Sequence, residues 1–71
     1  MLPRLDYHKD LTAREVEVLR LLAHGLTNVQ IAARLVVGPL TISLHVRSIY
    51  NKLGVTSRSA ATRYSIEHQL V

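Results

Sequence analysis

The stretch from Thr27 to Leu53 limits the possible folds most sharply. It predicts a short helix, a tight turn through Val36, Val37, Gly38 and Pro39, and a second helix with two contrasting faces. On that second helix Ile42, Val46, Ile49 and Leu53 follow at spacings of four, three and four, which is one apolar stripe. Leu40, Ser43, Leu44, Arg47 and Asn51 fall on the opposite side. A helix that seats itself by one stripe and shows small, polar and basic side chains on the other is built like the second helix of a helix-turn-helix.

Local signals mark the ends of four helices. Thr12 and Glu15 make a T-x-x-E capping box, and Leu11 with Val16 stands at the positions of a hydrophobic staple. Val16, Leu19, Leu22 and Ala23 predict one apolar face of this first helix, widened by Val18 and Leu21. Gly25 then supplies the left-handed stop. Thr27 and Gln30 form a second capping box, with Leu26 and Ile31 as its staple and Ile31, Ala32 and Leu35 as core contacts. Pro39 suits the first position of the third helix, where a missing N–H loses nothing. Gly54 ends that helix after Leu53, and Ser57 caps a fourth helix through about Gln69, with Ala61, Tyr64, Ile66 and Leu70 as its apolar content. Residues 1–10, with Pro3 and alternating charges, read as a linker or N-terminal arm.

Composition narrows the chemistry. A chain of 71 residues without cysteine is one small domain with no disulfide or thiolate–metal staple. Net charge is +4, and residues 38–71 carry +3 of it, since Arg47, Lys52, Arg58 and Arg63 face Glu67 alone. A basic half on a small helical domain points to a polyanion. Aromatic content of 4% gives no platform for stacking single-stranded bases. His8, His24, His45 and His68 have no pair at metal-ligand spacing, and no nucleophile, base and orienting acid cluster together. Neither a metal, a cofactor nor an enzyme is expected. No apolar run approaches the roughly 20 residues of a membrane span, so the expectation is a soluble, cytoplasmic protein.

The chain resembles the LuxR-type DNA-binding domain, also known as the FixJ/NarL-like domain. The matching residues are Leu11, Thr12, Arg14 and Glu15, then Val18-Leu19, Gly25-Leu26-Thr27-Asn28, and Ile31-Ala32 with Leu35. They continue through Thr41-Ile42, His45-Val46, Ile49, Lys52-Leu53-Gly54-Val55, Ser57-Arg58 and Ala61. The likeness runs from Leu11 to about Val71, so residues 11–71 are expected to be the domain. It implies an all-α, four-helix helix-turn-helix bundle of the LuxR C-terminal effector type. It also implies sequence-specific binding to double-stranded DNA in bacterial transcription regulation, as the C-terminal output domain of a longer regulator. The third helix (about 39–53) would enter the major groove. Three departures stand out: Gly38 where many members have Ser or Thr, Ser43 where many have Lys, and Gln69 where many have Gly.

Residue roles follow from this frame. Arg47 is the candidate for bidentate pairing with guanine, Ser43 for a base edge, and Leu44 for a thymine methyl. Thr27, Asn28 and Thr41 lie at helix starts, whose free N–H groups attract phosphate. With His45, Asn51, Lys52 and Arg58 they make up the expected phosphate contacts. His45 has a competing reading as a packed histidine that seats the third helix. Ala60, Ala61 and Tyr64 are the expected surface of a homodimer through the fourth helix. RNA polymerase is a further partner to consider. Two alternatives remain: a sigma-factor region-4-like domain, and a dimerising protein-interaction module that no longer binds DNA. The His45-Val46 and Lys52-Leu53-Gly54-Val55 segments favour the LuxR type over the first.

Overall fold

The computed structural model describes residues 11–70. The linker or arm expected at residues 1–10 lies outside the described residues. Four helices follow in order: α1 (Ala13–Ala23), α2 (Asn28–Leu35), α3 (Pro39–Leu53) and α4 (Arg58–Glu67), with no strand among the described residues.

The helix starts obey their local chemistry. Thr12 caps α1 through a reciprocal box: its hydroxyl accepts from the Glu15 N–H at 3.1 Å, and its own N–H donates to Glu15 Oε1 at 3.0 Å. Thr27 and Gln30 repeat the arrangement at α2, at 3.2 and 2.9 Å. Gly38 offers α3 no side-chain cap, and Pro39 opens the helix. The Ser57 hydroxyl caps α4 by accepting from the Ala60 N–H at 3.1 Å.

The ends are less uniform. Gly25 and Gly54 take the left-handed conformation expected of stop residues, at φ 98° and 72°. Two other ends use residues poorly suited to that conformation. Val36 closes α2 at φ 59°, ψ 49°, although a β-branched side chain is strained there. The Val37 N–H still reaches back to the Ala32 carbonyl at 3.0 Å, so the helix end is satisfied. Gln69 turns the chain after α4 at φ 58°. That helix stops at Glu67, two residues short of the expected Gln69. The reason is the burial of Leu70: the reversal lets the Leu70 N–H bond the Ser65 carbonyl at 2.8 Å and drops its side chain into the core. Arg20 Nε, donating to the Leu70 carbonyl at 2.9 Å, ties this end to α1.

The core contains Val18, Leu19 and Leu22 of α1, Ile31 and Ala32 of α2, Ile42, Val46 and Ile49 of α3, Ala61 of α4, and Leu70. The expected stripe on α3 is thus buried, with Leu53 packed at its edge. On α1 the buried face is centred on Val18 rather than Val16 and Ala23, which are only half-buried. Ile66 is not core at all; it is 60% exposed. α1 is the hub, packing on both α3 and α4, while α2 packs on α3 and α3 barely touches α4. The chain direction turns by 111° between α2 and α3, within the range of about 90–120° for a helix-turn-helix. Among the described residues no single helix is long and apolar enough to cross a membrane.

Candidate nucleic-acid interface

With Ile42, Val46 and Ile49 turned inward, α3 has only one face left to show. Leu40, Thr41, Ser43, Leu44, Arg47 and Asn51 are all exposed. Arg47 makes no hydrogen bond or ion pair among the described residues, so its guanidinium is available. Asn28, at the start of α2, donates from Nδ2 to Ser43 Oγ at 3.4 Å, bringing the first residue of α2 to the outward face of α3. Thr27 is exposed beside it, with its hydroxyl oxygen already used as the cap of α2. His45 is half-buried, between the two faces of α3.

Charge reinforces the geometry. No Asp or Glu occurs between Glu17 and Glu67, so α2 and α3 carry no carboxylate. Arg34, Arg47 and Lys52 are the fixed charges on these two helices. A surface with cations, amides and hydroxyls and no anions favours a polyanionic partner.

Two of the expected phosphate contacts, Lys52 in the last turn of α3 and Arg58 at the start of α4, have structural work of their own. Lys52 Nζ lies 2.8 Å from Glu15 Oε1, and its side chain is 32% exposed. Arg58 is half-buried and its Nη2 donates to the carbonyls of Leu22, at 3.4 Å, and Leu26. It thereby supplies a donor to the loop into α2 and a second one to the end of α1, where the Gly25 N–H already reaches the Leu22 carbonyl at 3.0 Å. The Arg58 guanidinium points to the protein backbone, so the outward phosphate contact expected of it does not describe its resting position. Ala61 is corrected outright. It is fully buried in the chain's own core and has no surface to offer a second copy. Ala60 and Tyr64 are half-buried on α4, and the Tyr64 ring stacks on His68 with centroids 3.9 Å apart.

Two residues that position the interface escaped the sequence reading. Glu15 is 5% exposed, a burial that its place in a capping box does not disclose. Its Oε2 accepts from the Ser48 hydroxyl at 2.8 Å, and its Oε1 accepts from Lys52 and from the Thr12 N–H. Ser48 and Lys52 both belong to α3, so one carboxylate on α1 holds the interface helix at two points one turn apart. Burial opposes ionisation of Glu15. The Lys52 ammonium, the Thr12 N–H and the Ser48 hydroxyl together outweigh it and hold the carboxyl below the usual glutamate range. Only the absence of any other acid near α3 hinted that Lys52 would seek a carboxylate elsewhere.

Residues 9–65 match the model for the luxR family of bacterial regulatory proteins. The chain belongs to that family. A curated relative, the probable transcriptional regulatory protein SgaR of Hyphomicrobium methylovorum, is 49% identical over 56 residues, covering 79% of this chain and 26% of the relative. Among solved structures, the response regulator ChrA of a heme-sensing two-component system superposes with a TM-score of 0.79 at 43% identity. That match covers 86% of this chain and 30% of the ChrA chain. The chain thus spans less than a third of the length of either relative. The four-helix fold and the family agree: this is a DNA-binding helix-turn-helix domain of transcription regulators. Family membership also favours the LuxR type over the sigma-factor region-4-like alternative.

Proposed function

We propose that the chain reads double-stranded DNA by laying α3 in the major groove, as a homodimer, and serves as the C-terminal output domain of a longer transcription regulator. The observation that carries this reading is the two-sidedness of α3: Ile42, Val46 and Ile49 are buried, and Ser43, Leu44 and Arg47 are exposed on the other side. Arg47 pairs with a guanine, while Ser43 and Leu44 meet neighbouring base edges. Thr27, Asn28, Thr41 and Asn51 position the domain through phosphates, joined by His45 and by the unused donors of Lys52. Arg58 acts by fixing the loop before α2. Ala60 and Tyr64 supply the α4 surface for the second copy. RNA polymerase is a further partner in this reading.

The test is selection of bound duplexes from a random pool, followed by titration at several salt concentrations. One enriched sequence class is expected, as a repeat of half-sites about one helical turn apart. Affinity should fall linearly on a log–log salt plot, by about 0.9 per phosphate neutralised. Arg47→Ala should cost roughly 1–3 kcal/mol and relax preference at one base pair. Salt-insensitive binding, or no enrichment at low salt, would overturn the reading and favour a module that binds protein alone.

A further inference from the structure

Five large apolar side chains are exposed among the described residues: Val29, Val36, Leu40, Leu44 and Ile66. Two of them, Leu40 and Leu44, are 73% and 59% exposed and lie one turn apart on the outward face of α3. They are i,i+4 neighbours, so they form one apolar ridge. The ridge occupies the N-terminal part of α3, and Arg47 continues the same face toward the C-terminus. In helix-turn-helix docking the N-terminal residues of the second helix meet the base edges.

We propose that Leu40 and Leu44 act together as a thymine-methyl reader, with Leu40 a specificity-determining residue in its own right. This rests on the DNA-reading role above. Only thymine presents an apolar group in the major groove, its C5 methyl. A leucine cannot pair with a hydrogen-bonding edge, and against a cytosine or adenine amino group it strands that donor. Ser43 lies between the two leucines in sequence and keeps a hydroxyl for an adjoining edge. The spacing sets the pattern. Four residues of helix rise about 6 Å, against 3.4 Å per base step along one strand, so the two methyls lie within about two steps. Arg47 lies about 4.5 Å further along the axis, which places its guanine roughly one step beyond. A protein partner is the poorer fit for this ridge, because it is continuous with Arg47 and stands on a helix that carries no carboxylate.

Deoxyuridine gives a direct test, since it keeps every hydrogen bond of thymine and lacks the methyl. The best duplex from the random-pool selection is resynthesised with each thymine replaced singly by uracil, and binding of the 71-residue chain is followed by fluorescence anisotropy. Two thymines in each half-site should be sensitive, each losing about three- to fourfold in affinity per methyl. In Leu40→Ala one sensitivity in each half-site should vanish, and in Leu44→Ala the other, with the salt slope unchanged in both. Both side chains are exposed, so circular dichroism and melting should match the parent chain. Selective binding without any uracil sensitivity would overturn the methyl-reading role alone. Sensitivities that persist in both variants would do the same. Failure to bind any duplex selectively would instead bring down the DNA-reading role on which this rests.

Discussion

Glu15→Ala is the most informative perturbation of the fold, because it removes the carboxylate that joins α1 to α3. Its expected effect can be assembled from the contacts. Loss of the returning half of the capping box, from Glu15 Oε1 to the Thr12 N–H, costs about 0.5–1 kcal/mol. The Ser48 hydroxyl loses its acceptor in a half-buried position, at about 1 kcal/mol. The Lys52 pair contributes about 0.5–1 kcal/mol and no more, because the 32% exposed side chain can recover water. The sum is about 2–3 kcal/mol, which for a domain of this size lowers Tm by roughly 10–20 °C. Glu15→Gln loses the charge but keeps one carbonyl oxygen for the Thr12 N–H, and its amide NH2 can donate to the Ser48 hydroxyl oxygen with the direction of that bond reversed, so it should cost about 0.5–1 kcal/mol. Urea titration at unchanged m measures both variants. A double-mutant cycle with Lys52→Met should isolate the ion pair. A loss below about 0.5 kcal/mol for Glu15→Ala, the range of an ordinary surface substitution, would refute the reasoning.

Other outcomes follow from the same contacts. The Glu15 carboxyl is depressed in the folded chain, so its contribution is complete above the unfolded glutamate value of about 4.3 and fades as pH falls through the lower folded value. Acid melting curves of Glu15→Gln should therefore be flatter than those of the parent over that window; parallel curves would contradict the pairing. Val36→Gly should raise stability by about 1 kcal/mol by relieving the left-handed valine at φ 59°, and a lower urea midpoint would mean that the 88% exposed side chain packs in solution. Arg58→Ala should lower stability by about 1–2 kcal/mol, chiefly through the Leu26 carbonyl, since the Leu22 carbonyl keeps the Gly25 N–H at 3.0 Å. A loss of DNA affinity at unchanged stability would restore its role as a phosphate contact.

What the sequence disclosed was local. Thr12, Thr27 and Ser57 each cap within three residues, and Gly25 and Gly54 stop their helices through backbone freedom that only glycine has in full. The stripe on α3 was legible because a fifteen-residue helix repeats its pattern several times. The hidden features depend on residues far apart along the chain. Glu15 is 37 residues from Lys52, and nothing in a capping box says that its glutamate will be buried. Ala61 is buried rather than free for a second copy, and Ile66 is exposed, because the α4 pattern is short and mixed, and the partner that selects its inner face is α1. Gln69 and Val36 adopt a conformation their side chains disfavour, which tertiary burial of Leu70 and the sharp α2–α3 turn impose.

The central place of α1 has a mechanical corollary. Because α3 and α4 hardly meet, each is referenced to the other through a single shared keel. In the proposed dimer, the separation and tilt of the two DNA-facing helices are therefore inherited from how each keel is set against its own α4. A force applied at the pairing surface then reaches Arg47 mainly by way of α1, so small changes in the size of its core residues Val18, Leu19 and Leu22 would retune the preferred gap between half-sites without altering any base that is read.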